Sequence, residues 1–204
     1  MLRSEGDLFT AGNDIGEFAA AATGGSELRS VARFLRAITE AGRPIVAAVQ
    51  GRAVGVGATL LLHCDYVVLA EDAELVTPFV NLALVPEAAS TLLMPARIGH
   101  ARAFAMFALG QSGSAQDALG WGLANEVVAR ADLLPRAQTV AQRLAAQPLG
   151  ALIATKRLMR NQQMLTAQMN AELASFAERL KTDEAREAFA AFVERRPPAF
   201  NPST

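Results

Sequence analysis

Apolar residues recur along this chain at two different periods, and the change between them divides it. Leu28, Val31, Leu35 and Ile38 lie three or four apart, which places them on one face of a helix. Gly42 stops that helix and Pro44 keeps the chain extended. The continuous apolar run Ile45-Val46-Ala47-Ala48-Val49 then predicts a strand covered on both faces. The stretch 51–57, punctuated by Gly51, Gly55 and Gly57, reads as a turn, and Ala58 to His63 as a buried helix. Tyr66 to Ala70 predicts a second buried strand, and Glu74 to Thr77 a third, short one. Strand, helix, strand in that order needs a crossover connection, so the class is α/β. Upstream, Leu8 to Asp14 predicts a strand end running into a loop, where Asn13 and Asp14 accept tight backbone geometry. Ala19 to Ser26 reads as a mobile surface loop of small residues, with Ser26 capping the helix that follows.

From Pro86 onward the pattern is helical to the end. Leu134, Ala137, Ala141 and Leu144 form one stripe, and Leu165, Met169, Leu173, Phe176 and Leu180 a second with near-heptad spacing. Phe189, Phe192 and Val193 form a third. Methionine in such a stripe reads as core filler. The predicted division is a core over residues 1–130 and a helical C-terminal region over residues 131–204, closing in a Pro-rich tail.

Composition narrows the function. Of 204 residues 51% are hydrophobic and 19% charged, enough apolar surface for a real core. The net charge of −1 supplies no basic excess to neutralise phosphates, so no nucleic-acid partner is expected. A single cysteine, Cys64, excludes an internal disulfide and a cysteine-built zinc site. The N-terminal stretch has no signal-peptide character, and the apolar runs at 45–49 and 53–62 are too short and Gly-interrupted for a bilayer. A soluble, cytoplasmic protein with no membrane partner is expected.

The familiar catalytic signatures mostly fail. His63 and His100 lack metal-ligand spacing, no metal is expected, and His63 in its Leu-rich helix reads as a core residue. Gly55-Val56-Gly57 is followed by Leu60 where a dinucleotide fingerprint needs glycine or alanine. Gly110-Gln111-Ser112-Gly113-Ser114 lacks the last glycine of a nucleophile elbow. Two loops with exposed backbone amides remain, Ala11-Gly12-Asn13-Asp14 and Gly55-Val56-Gly57. Two amides aimed at one oxygen make an oxyanion hole. The same glycines also serve close packing of helix on strand, and their pattern alone admits both readings.

Several stretches together carry a resemblance. They are 9–15 (FTAGNDI), 44–57 (PIVAAVQGRAVGVG), Cys64-Asp65, Thr77-Pro78-Phe79, Leu84-Val85-Pro86-Glu87, 114–118 (SAQDA), 122–128 (GLANEVV) and 192–196 (FVERR). In this order, over nearly the whole chain, they resemble the crotonase superfamily, the enoyl-CoA hydratase/isomerase group. The resemblance implies an α/β crotonase (ClpP-like) spiral of ββα turns, with a helical C-terminal region that builds a homotrimer or hexamer. It implies an acyl-CoA thioester partner, with coenzyme A carried by the substrate and no separate cofactor. By alignment the thioester carbonyl meets the amides of Asn13 and Val56. Ala11, Asp14, Ile15 and Gly16 are implied along the CoA path, Gly55 and Phe79 as further substrate-binding residues, and Phe192 and Arg195 near the nucleotide. Complete members carry further strands and a helix ahead of Leu2-Arg3-Ser4, so a longer reading frame is expected.

The resemblance also sharpens the reaction. Hydratases hold water between two glutamates, whose positions align with Thr59 and Phe79, and neither side chain is a base at neutral pH. Glu87, within Leu84-Val85-Pro86-Glu87-Ala88-Ala89-Ser90, matches the single glutamate of the Δ3,Δ2-enoyl-CoA isomerase branch. That carboxylate removes a C2 proton and returns it to C4. Seated among Val85, Pro86, Ala88 and Ala89, it should be desolvated and its pKa raised toward that of a general base. The other reading of Glu87 is the N-terminal charge of the next helix. The alternatives in function are another crotonase reaction such as hydration, or a non-catalytic acyl-CoA-binding subunit.

Overall fold

Two helices precede the first strand in the computed structural model, which describes residues 1–22 and 29–200. α1 spans Ile15–Ala22 and α2 spans Arg29–Thr39. Ala19 to Ala22 are therefore helical rather than a loop, as a run of the best helix-forming residue allows. Ser26 and Leu28 lie outside the described residues. Leu35 and Ile38 are buried as the helical spacing requires, and α2 ends at Thr39, before Gly42.

β1 (Val46–Val49) is buried at all four positions. Its alternate residues face opposite cores, Ala47 and Val49 one and Val46 and Ala48 another, which is why no polar residue interrupts the run. β2 (Arg52–Val54) occupies the stretch that reads as a continuous turn, because three residues are too few to show a period. α3 (Val56–Thr59) continues into a single 3-10 turn, Leu60–His63, and both are fully buried. β3 (Tyr66–Ala70) and β4 (Glu74–Val76) fall where the apolar runs place them.

α4 (Ser90–Ile98) and α5 (His100–Leu109) follow. Two short strands interrupt the region expected to be wholly helical, β5 (Gly113–Ser114) before α6 (Ala115–Trp121), and β6 (Glu126–Val128) after it. Their existence depends on partners far away in sequence. β6 pairs parallel to β3, Val68 opposite Glu126, and β5 pairs antiparallel to β4. The strands form two sheets, β1-β3-β6 with every pair parallel and β2-β4-β5 with a parallel β2-β4 pair. The main core lies between them under α4, α5 and α6.

α7 (Leu133–Ala145) covers the outer face of the first sheet. Its buried residues are Leu133, Ala137 and Val140, whereas Leu134 is 37% exposed, so the stripe is rotated from the sequence assignment. α8 (Leu149–Leu158), α9 (Gln162–Arg179) and α10 (Asp183–Glu194) complete the described chain. Leu165, Met169, Phe176 and Leu180 are buried, and Met169 fills core against Thr39. The third stripe does not hold. Phe189 is buried, but Phe192 and Val193 are exposed because α10 presents only its inner face to Phe18 and Phe176. Lys156 ties α8 to the sheet layer through Asp65 Oδ2, at 2.6 Å, and the Arg43 carbonyl. No helix among the described residues is long and apolar enough to cross a membrane.

Candidate active site

Glycines bring the two amide-bearing loops together. Thr10 makes a single parallel bridge to Ala53, with the Val54 amide donating to the Thr10 carbonyl at 3.0 Å. Gly12 has φ +91°, and a Cβ there would sit 2.9 Å from the Val54 carbonyl oxygen. A Cβ on Gly57 would sit 2.3 Å from Thr10 Cγ2. Both glycines are therefore required for close approach, and that approach also brings the amide-bearing segments side by side.

Gly55, at φ +56°, turns the chain into α3, and its own amide is spent on the Val76 carbonyl. The Ala58 and Thr59 amides return to the Gly55 carbonyl, both at 3.0 Å. The Val56 amide, first in the helix, and the Asn13 amide have no acceptor among the described residues. Asp14 accepts the Gly16 amide at 2.7 Å and starts α1. Ile15 packs partly into the α1/α10 cluster, while Ala11 and Gly16 are exposed beside it.

Glu87 is 2% exposed. Its Oε1 accepts the Thr59 hydroxyl at 2.6 Å, and its Oε2 has no hydrogen-bond partner among the described residues. Burial pushes its pKa up to about 7. The Thr59 bond opposes that rise, and the carboxyl of Glu172 adds to it. Thr59 sits one helical turn after Val56, so α3 joins the Val56 amide to the carboxylate.

Glu87 is not the charge at the start of α4. That helix begins at Ser90, behind two alanines in the left-handed region, Ala88 (φ 63°) and Ala89 (φ 54°). The acid at its N-terminus is Glu172 of α9, which accepts the Thr91 amide at 2.9 Å and the Thr91 hydroxyl at 2.5 Å. Glu172 is itself buried, which raises its pKa. His63 also reaches this turn, with Nε2 2.6 Å from the Ala88 carbonyl oxygen.

The structure thus brings Glu87 to α3, one turn from Val56, and the Asn13 loop against the strand that precedes it. It does not bring every expected residue there. Phe79 is buried in the main core, edge-on to Phe107 with centroids 6.2 Å apart. Phe192 and Arg195 lie at the exposed end of α10, past Phe189, and Arg195 caps that helix at φ 55°. A cavity of about 680 Å³ lies elsewhere, between Leu62–Asp65, Arg97 and the α8–α9 junction, and Glu87, Asn13 and Val56 do not line it. Sequence reasoning missed Glu172, because a glutamate in the middle of a helix carries no local signal of a partner 81 residues away.

Comparison with known proteins identifies the family and the fold. The family model for enoyl-CoA hydratase/isomerase matches residues 1–203. The 1,2-epoxyphenylacetyl-CoA isomerase of Escherichia coli K12 is 34% identical, over 98% of this chain and 79% of its own. The carnitinyl-CoA dehydratase of Salmonella agona is 32% identical, over 81% of this chain and 66% of its own. Among solved structures, an enoyl-CoA hydratase/isomerase from Pseudoalteromonas atlantica superposes with a TM-score of 0.90 at 41% identity, over 98% of this chain and 79% of that one.

Proposed function

This chain belongs to the enoyl-CoA hydratase/isomerase family, and from that premise we propose that it shifts the double bond of a 3-enoyl-CoA to the 2-position, with Glu87 carrying the proton. One observation supports this over hydration. Thr59 stands where the resemblance expects a hydratase glutamate, and its hydroxyl donates to Glu87 instead of activating water. The other expected hydratase position, Phe79, has no acid–base group and lies in the core.

The thioester oxygen accepts the Asn13 and Val56 amides, which polarises the carbonyl and acidifies C2. Glu87 Oε2 takes a C2 proton, and the dienolate charge rests on the thioester oxygen. The same carboxyl returns the proton to C4. One base suffices because no water is added. A pKa near 7 suits both halves of the transfer, since the group must accept and then release the proton at neutral pH. Each amide donor of such a hole lowers the barrier by roughly 3 kcal/mol.

Ala11, Asp14, Ile15 and Gly16 line the CoA path in this reading, Gly55 shapes the acyl side, and Phe192 and Arg195 face the nucleotide from the end of α10. Assembly as a trimer or hexamer belongs to the same reading, and Leu158 and Met159, 85% and 80% exposed, fit a subunit contact. Sedimentation of the purified chain tests that part.

The deciding assay follows a trans-3-enoyl-CoA by the absorbance of the conjugated 2-enoyl thioester, with 2-enoyl-CoA hydration measured in parallel. Conjugation without hydration, abolished by Glu87→Gln, is the expected result. Hydration, or tight acyl-CoA binding without turnover, replaces this reading with another family chemistry or with a binding subunit.

A further inference from the structure

We propose that His63, held in one tautomer by Arg160, is a positioning residue that latches the turn on which Glu87 is mounted. The inference rests on reading Glu87 as the proton carrier.

Thr59 closes α3 and His63 closes the 3-10 turn that continues it, and the side chains of both reach the turn that carries Glu87. Both grip consecutive residues of the same turn. Thr59 holds the Glu87 carboxyl at 2.6 Å, and His63 Nε2 lies 2.6 Å from the carbonyl of Ala88, the next residue. That turn needs holding. Ala88 and Ala89 are both left-handed, at φ 63° and φ 54°, a conformation that alanine disfavours and that persists only where surroundings impose it.

The chemistry of the ring settles the direction of each bond. Nδ1 lies 2.7 Å from Arg160 Nη2, and a guanidinium can only donate, so Nδ1 accepts. The single proton of the neutral ring therefore sits on Nε2 and points at the Ala88 carbonyl. Burial lowers the ring pKa to about 4, with Arg160, Arg97 and Lys156 adding to the effect, so the neutral form holds through the neutral range. The residue is 1% exposed, and each ring nitrogen has a protein partner. A proton moved between C2 and C4 by one carboxyl depends on that carboxyl being placed within a fraction of an ångström. The thioester is held by other loops, so loosening this turn slows turnover without weakening binding.

The test compares His63→Leu, which removes the bond, with His63→Gln, whose side-chain amide can donate to the same carbonyl. On trans-3-hexenoyl-CoA, His63→Leu should lower kcat roughly 10- to 100-fold with KM within about 2-fold. His63→Gln should recover most of the loss. Hydrogen exchange at the Ser90 amide, which donates to the Glu87 carbonyl, should speed up about tenfold in His63→Leu and little in His63→Gln. If His63→Leu does not fold, Arg160→Leu is read the same way, and the ¹⁵N shifts of His63 in the wild-type chain report the tautomer. A proton on Nδ1, an unchanged Ser90 exchange rate, equal losses in both His63 variants, or a loss confined to KM overturns the proposal. A Glu87→Gln control that retains turnover sinks the proton-carrier reading instead, and the exchange and tautomer measurements then decide the latch alone.

Discussion

A carboxylic acid with one oxygen bonded and the other unpartnered in a dry turn is unstable as an anion. Glu87 has a folded pKa near 7 against an ordinary glutamate value of 4.5. Because the folded value is raised, its contribution to stability is fully present below pH 4.5 and is lost as pH rises through 7. At 1.36 kcal/mol per unit the loss is on the order of 3 kcal/mol. Glu87→Gln should therefore be more stable than wild type by about that amount at pH 8, with the difference vanishing near pH 4, as urea titrations at the two pH values would register. Thr59→Val acts the other way on the anion. It removes the donor that favours the charged form, so Glu87 should titrate higher still. The acid limb of kcat/KM should then move to higher pH by about one unit, and an unmoved limb would mean that the hydroxyl does not set this pKa.

Between elements, the spacing is set by glycines chosen for contact and by caps chosen for polarity. Gly57 meets Thr10 in close contact, whereas a Cβ added at Gly120, on the surface of α6, would meet nothing within 4 Å. Gly57→Ala should cost about 1–3 kcal/mol and lower turnover, since it pushes the Asn13 loop away from Val56. Gly120→Ala should gain up to about 1 kcal/mol by helix propensity alone and leave turnover unchanged. Thermal melts and a single assay separate the pair. α6 also carries a complete capping box, Ser114 with Asp117, which explains how so short a helix is placed after a two-residue strand.

At the scale of the molecule, the C-terminal helices are attached by a few buried polar ties across apolar clusters. Lys156, nearly buried on α8, meets Asp65, which also accepts the Ile45 amide. Removing either partner leaves the other's charge uncompensated, but Asp65 is 28% exposed and keeps the Ile45 amide, whereas the Lys156 side chain is only 6% exposed, so the carboxylate left alone is better solvated than the ammonium. Asp65→Asn should therefore cost about 3 kcal/mol, and Lys156→Met clearly less, in denaturant unfolding. Equal costs would show that the pair is solvated and its burial unimportant. α9 makes the corresponding tie on the other side, through Glu172 at the head of α4, so the C-terminal region supports the turn that carries Glu87.

Much of this arrangement was legible in the residues, for identifiable reasons. The strands at Val46–Val49 and Tyr66–Ala70 were readable because burial on both faces forces a continuous apolar run. The buried face of α9 was readable because Leu165, Met169 and Phe176 repeat at helical spacing. Glu87, Asn13 and Val56 were singled out through motif resemblance, and the burial of Glu87 was readable from its apolar neighbours. β2, β5 and β6 were not legible, since strands of two or three residues are defined by their ladder partners and not by any period. The exposure of Phe192 and Val193 was also hidden, because a stripe does not reveal how far along it a partner extends.

The sequence by itself determined the α/β class and, through its motifs, the family, and it singled out the two glycine-bearing loops and Glu87. These are local properties: apolar spacing, residue size and the acid–base character of a side chain. The tertiary structure alone decided what surrounds that carboxylate. Thr59, His63 and Glu172 come from 28, 24 and 85 residues away, and hydrogen bonds and burial act through space with no trace in spacing along the chain.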